Sequence, residues 1–240
     1  MPQEGLPANN AANIAGKIAS GFTFSHEVYG EGFFTFHVEV QRLSEVSDIL
    51  PVTISERLLE GEHYEEGSPV HITGQLRSYN NYVEADKKNK LVLTVFTKDI
   101  EPLPSDADIN PNEIILNGFI CKPPIYRNTP FGREIADILL AVNRSYGKSD
   151  YIPCIAWGRN ARYAGRLKIG DHIRVYGRMQ SRIYQKKRDD GSVLEKTAYE
   201  VSIAKIESES TLRGEEPLEL NDNFLNDNVE TSDDGQEMDI

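Results

Sequence analysis

Between Asp171 and Arg188 the chain alternates. Ile173, Val175, Gly177, Met179, Ser181 and Ile183 form one series; His172, Arg174, Tyr176, Arg178, Gln180, Arg182 and Tyr184 form the other. Successive side chains of an extended strand point to opposite faces, so the first series is expected to face a core and the second outward. The same period of two runs through part of REIADILLAVN (133–143) and TAYEVSIAKIE (197–207), both rich in β-branched or aromatic residues. The pattern predicts five strands over 112–121, 133–143, 151–157, 171–184 and 196–207. Only GRNARYAGRLKIG (158–170) is compatible with a helix, and Gly170 closes it.

The pattern occurs twice. NIAGKIA (13–19) resembles ILNGFIC (115–121), setting Gly16 against Gly118. VEVQRLSEVSDILPVTI (38–54) resembles LAVNRSYGKSDYIPCIA (140–156), matching Arg42 to Arg144, Asp48 to Asp150 and Pro51 to Pro153. EGSPVHITGQL (66–76) resembles IGDHIRVYGRM (169–179), matching Gly67 to Gly170 and Gly74 to Gly177. Ordered matches at an offset of 102 to 103 indicate a tandem duplication, joined near LPSDADINPN (103–112). Five strands with one helix between the third and fourth, in about 100 residues, predict an OB-type Greek-key barrel. A five-stranded sandwich would give a similar pattern. The expected organisation is mainly all-β: a flexible N-terminus over 1–12, two tandem OB-fold barrels over 13–105 and 106–208 with a short helix each, and a disordered acidic tail over 209–240.

Charge divides the chain in the same way. The formal net charge of −12 argues, taken whole, against a nucleic-acid partner. Yet residues 106–208 carry 17 Lys and Arg against 12 Asp and Glu, a net of +5. Residues 1–105 net −7 and residues 209–240 net −10. A basic middle is hidden by an acidic tail.

The outward series of 171–188 then acquires a chemistry. Residues two apart on a strand lie about 6.6–6.8 Å apart, a spacing comparable to that of an extended nucleic-acid strand. Arg174, Arg178 and Arg182 attract phosphate, and Tyr176 and Tyr184 offer flat faces to any base. A solvated basic strand with tyrosines packed on arginine stems is the plainer reading. Tyr151 and Trp157, six residues apart on the third run, share a face; Tyr146 lies near Arg144, and QKKR adds Lys186, Lys187 and Arg188. These neighbours favour a nucleic-acid groove.

The second copy resembles the bacterial single-stranded DNA-binding protein family. The resemblance rests on NEIILNGFICKPPIYRNTPFG (112–132), ILLAVNRSY (138–146), DYIPCIAWGRNA (150–161), LKIGDHIRVYGRMQSRIY (167–184) and YEVSIAKIE (199–207). It places the base-stacking positions on Tyr146, Tyr151, Trp157 and Tyr184, and Arg127 on the family's arginine in the first hairpin. It implies sequence-independent binding and protection of single-stranded DNA in replication, recombination and repair. Family members act with four OB folds together, which for two per chain implies a homodimer. They also carry an acidic tail whose tip docks on genome-maintenance proteins. Here the tip is Met238, Asp239 and Ile240, without the family's Pro-Phe ending.

The first copy matches less well. Its fourth run, PVHITGQLRSYNNY, turns His71, Thr73, Gln75, Arg77 and Tyr79 outward. With one arginine and a net of −7, this copy either binds weakly through Tyr79, Tyr82 and the KKNK hairpin (87–90) or serves assembly, and assembly is the expected role. The rival to DNA binding is an OB-fold scaffold of a primosome or recombination complex, acting through protein contacts. A stacking surface also leaves RNA open as a ligand.

Other chemistry finds little support. Cys121 and Cys154 sit in apolar runs and read as small buried hydrophobes in a reducing compartment, and the five histidines form no metal spacing. No nucleotide-cradling loop or catalytic triad is present, so a non-enzymatic protein without cofactor or metal is expected. No stretch approaches a membrane span or an export signal, and the expected location is cytoplasmic, associated with the nucleoid.

Overall fold

The computed structural model describes residues 9–42, 44, 46–61, 63–83, 88–104, 111–187 and 193–208. In the first copy the strands are β1 (Asn10–Ile18), β2 (Thr23–Val28), β3 (Glu31–Gln41), β4 (Ser47–Ser55), β5 (Pro69–Val83) and β6 (Lys88–Pro102). In the second they are β7 (Asn112–Ile120), β8 (Ile125–Asn128), β9 (Glu134–Asn143), β10 (Ser149–Trp157), β11 (His172–Lys187) and β12 (Val193–Ser208). The order β1–β3–β4–β6–β5 returns to β1 and closes the first barrel, with β4 and β6 parallel. The order β7–β9–β10–β12–β11 returns to β7 and closes the second, with β10 and β12 parallel. Each is the five-stranded OB barrel, with β2 and β8 as extra edge strands on β3 and β9.

Period-two patterning fills both interiors. Ile14, Val38, Leu50, Val52, Ile72 and Leu76 line the first; Leu116, Leu140, Ile152, Ile173, Val175 and Met179 line the second. The inward series of β11 departs from this after Met179, because the strand outruns its barrel. Ser181 meets the first copy, and Ile183 is 65% exposed. Helix α1 (Arg159–Ala164) buries Ala161 and Ala164 where the second copy was expected to have one. The first copy has only a 3₁₀ turn, Glu56–Leu58, at the matching place. Cys121 and Cys154 are free and buried, and burial pushes the Cys121 thiol up to about 12.

Two of the matched glycine pairs, Gly16/Gly118 and Gly74/Gly177, stand where strands cross too closely for a side chain, whereas Gly67 and Gly170 sit in open space at φ +88° and +90°. A Cβ on Gly74 would stand 2.2 Å from the carbonyl oxygen of Phe96, and one on Gly177 would stand 2.3 Å from that of Ser202. Register shifts at Thr73/Gly74 and Tyr176/Gly177 mark the same corners. Barrel closure requires these bends, which is why the glycines recur at a constant offset.

The two barrels are joined about an internal two-fold. β1 pairs antiparallel with β7, and the register is symmetric about Ala12 opposite Ile114: Asn10 faces Leu116, and Ile14 faces Asn112. Asn10, Ala11 and Ala12, expected to belong to the lead-in, thus form the start of β1. The Asn10 amide donates to the Leu76 carbonyl at 2.7 Å and accepts from its N–H at 2.9 Å. Asn112 does the same with Met179, at 2.8 and 2.9 Å.

A second symmetric pair of contacts clasps the copies. Asp48 is fully buried and accepts from Arg42 at 2.7 and 2.8 Å, and from the backbone N–H of Ser181 at 2.7 Å. Asp150, also fully buried, accepts from Arg144 Nε at 2.6 Å, from Arg144 Nη2, from Arg77 at 3.0 Å and from the Ser78 N–H at 2.6 Å. Arg42 and Arg144 each donate onward to the carbonyl of the serine across the joint, at 3.2 and 3.0 Å. Buried carboxylates are tolerable here because bidentate guanidinium pairing and a backbone N–H replace their water.

Candidate nucleic-acid interface

The far half of β11 pairs with β12 alone, whereas its first half also pairs with β7. On the outward face of that far half stand Arg178, Arg182 and Tyr184, in the predicted alternation; Gln180, expected beside them, is buried at 7% exposure. Arg182 is 42% exposed in its side chain, and its guanidinium carbon lies 5.7 Å from the centre of the Tyr184 ring. A cation at this distance from a ring face is attracted by the ring's quadrupole. Trp157 ends β10 and donates from Nε1 to Ser202 Oγ on β12 at 3.3 Å, leaving the ring partly exposed. Arg127, on β8, is tied to Asp137 at 3.0 Å.

These strands converge on Glu200. Its carboxyl is nearly buried and accepts from Gln180 at 2.8 Å, with Arg182 at 4.0 Å. Burial pushes its pKa up; Arg182 and Gln180 oppose the rise, and Arg127 and Asp137 are near enough to act on it too. The sequence singled out no acidic residue here, and a lone glutamate in an alternating strand carries no signal of its own. A group that holds its proton more tightly when folded contributes stability below the ordinary carboxylate pKa, and that contribution is lost as pH rises through its raised folded value. Glu200→Gln should therefore raise the urea midpoint more at pH 8 than at pH 5. It also removes a negative charge from the basic face.

The other predicted site residues fall elsewhere. Tyr151 is 8% exposed and packs with Cys121, Ala141 and Leu139, and its N–H donates to Ser78 Oγ of the first copy at 2.7 Å. It shares a face with Trp157 as the spacing requires, but the joint between copies covers that end of the strand. Tyr151 is corrected from a stacking platform to a core residue. Arg144 is corrected likewise: its guanidinium is committed to Asp150 and the Ser78 carbonyl. Tyr176 lies before the bulge with its hydroxyl donating to Glu207 at 3.1 Å and Lys205 5.4 Å from its ring centre. Arg174 lies on that same first half, opposite Asn117 of β7. Lys186 and Lys187 continue β11, but their side chains, that of Tyr146, and all of Arg188, Met238, Asp239 and Ile240 lie outside the described residues.

What the geometry assembles is an open strip: Trp157, Arg178, Arg182 and Tyr184, bordered by Arg127. Comparison with known proteins agrees in region and fold. Residues 111–208 match the model of the single-strand binding protein family. Over 81 residues, 31% of this chain, the sequence is 38% identical to single-stranded DNA-binding protein A of Bacillus subtilis (strain 168), covering 47% of that protein. Over 81 residues it is 37% identical to single-stranded DNA-binding protein 2 of Listeria innocua serovar 6a, covering 51% of it. The chain thus spans about half the length of the curated relatives it matches. Wild-type single-stranded DNA binding protein from Thermus aquaticus superposes with a TM-score of 0.66 over 87% of this chain and 95% of that one, at 20% identity. That likeness is one of fold.

Proposed function

We propose that this chain binds single-stranded DNA without regard to sequence, a reading supported by the match of residues 111–208 to the single-strand binding protein family. Bases stack on Trp157 and Tyr184, while Arg178 and Arg182 replace the counterions of the phosphates. Arg127, Arg174, Tyr176 and the basic run Lys186, Lys187 and Arg188 extend the contact along the strand, and Tyr146 adds a further ring. Binding protects the strand and favours local melting of duplex. The observation that supports this best is the cation–ring pair of Arg182 and Tyr184 on the same outward strip as Trp157.

Trp157 is the single tryptophan of the chain, so its emission reports the site directly. Titration with oligo-dT should quench it, duplex of the same length should do so far less, and the affinity should fall linearly with log salt. Emission unchanged at saturating single strand would remove Trp157 from the site.

Four OB barrels acting together require two chains. We propose a homodimer, with the acidic tail ending in Met238, Asp239 and Ile240 offered to genome-maintenance proteins. Light scattering should give twice the 27.0 kDa chain mass; a monomer mass at micromolar concentration would refute the dimer.

A further inference from the structure

The two clasp aspartates are not matched alike. Asp48 takes one guanidinium, that of Arg42, through Nε and Nη2. Asp150 takes that of Arg144 in the same two-pronged way, and a second, from Arg77 Nη1, at 3.0 Å. One arginine is enough to close a clasp, as Asp48 shows. Arg77 is surplus to it, and two guanidiniums on one carboxylate leave a positive charge over.

The repeat shows how the surplus arises. The offset that sets Gly74 against Gly177 sets Gln75 and Arg77 against Arg178 and Gln180, the same two residue types in reverse order. In each copy the arginine Nη2 donates to the glutamine Oε1, at 2.5 Å in the first and 3.4 Å in the second. The reversal brings the cation to the aspartate in the first copy, whereas Gln180 turns to Glu200 in the second.

This charge borders an open pocket at the joint. Asn9, Gln75, Arg77, Asn143, Arg144 and Ser145 line about 340 Å³, with no carboxylate among them. The Arg77 side chain is 26% exposed and that of Arg144 28%. Arg77 Nε and Arg144 Nη1 make no hydrogen bond to a described residue. The walls are set before any ligand arrives: the Asn9 amide donates to the Asn143 carbonyl at 2.7 Å, and the Gln75 amide to that of Asn10 at 3.3 Å.

We propose that this pocket binds a phosphate group, held on the fork of Arg77 with Arg144 behind it. Half-buried guanidiniums with N–H groups to spare suit an oxyanion, whose oxygens accept and do not donate. The phosphate is either free in solution or a phosphodiester of a strand crossing the joint. The site does not depend on the single-strand reading, and its first measurement contains no DNA.

That measurement is the urea midpoint of the full chain in millimolar phosphate against chloride at equal ionic strength. A ligand of the folded state raises the midpoint, and Arg77→Gln, which puts at this place the residue the second copy already carries, should diminish the rise. No phosphate-specific rise in the unaltered chain, or an undiminished one in Arg77→Gln, would overturn the site. The salt dependence of oligo-dT binding then identifies the source. A strand phosphate in the pocket predicts that Arg77→Gln makes the log–log slope shallower by about 0.7, the share of one phosphate on a single strand. An unchanged slope beside a diminished rise assigns the pocket to free phosphate. A chain that binds no oligo-dT would remove the single-strand reading and leave this site standing on its midpoint.

Discussion

Asp150→Ala is expected to lower the unfolding free energy, read by urea titration, by about 3 kcal/mol. Removing one partner of a buried ion pair costs about 3–5 kcal/mol, because the other charge is left without compensation. Here two guanidiniums, Arg144 and Arg77, lose their counter-charge at once, and the Ser78 N–H loses its acceptor. Both arginine side chains keep about a quarter of their surface in water, 28% and 26%, which puts the loss at the lower end of that range. Arg127→Ala is the contrasting control. Its pair with Asp137 is exposed on both sides, and its removal should shift stability by less than about 1 kcal/mol. Equal losses from the two substitutions would mean that Asp150 does not clasp the barrels.

Gly177→Ala is the second large effect: about 3 kcal/mol, at the upper end of ordinary overpacking. The added methyl would sit 2.3 Å from a backbone carbonyl, and β12 cannot retreat without opening the seam of the second barrel. A flexible side chain in the way would turn aside at little cost; a ladder-bonded carbonyl cannot. In calorimetry the midpoint should fall by roughly 6–12 °C for a chain of this size. A fall within about 2 °C would show that the corner can relax. Gly74→Ala tests the same corner in the first copy, 2.2 Å from the Phe96 carbonyl.

The parts of this fold legible in the sequence are those written twice. Constant offsets between Gly74 and Gly177, and between Gly16 and Gly118, announced the duplication because each marks a strand crossing that no side chain can enter. Alternation along β11 located Arg178, Arg182 and Tyr184 on the open face, since period-two patterning is a property of one strand alone. Tyr151 and Arg144 were misread for a matching reason. Their surroundings come from the other copy, and nothing in a single strand records what will pack across a joint between barrels. The repeat did hold a clue. Arginine and aspartate six residues apart recur in both copies, including the acidic one that was not expected to bind, and a residue pair indifferent to that distinction is more readily structural. Glu200 was invisible because its surroundings, Gln180 and Arg182 of β11 with Arg127 and Asp137 near enough to act on it, come from other strands.

The symmetric register of β1 on β7 has a bearing on heredity. In a dimer of identical chains every substitution is made in both halves at once, so an improvement to one face is imposed on the other. Here the two halves of one symmetric joint are separately encoded, and a codon change reaches a single barrel. Ring placement can drift in one while the other stays fixed, provided Ala12 and Ile114 still meet at the axis.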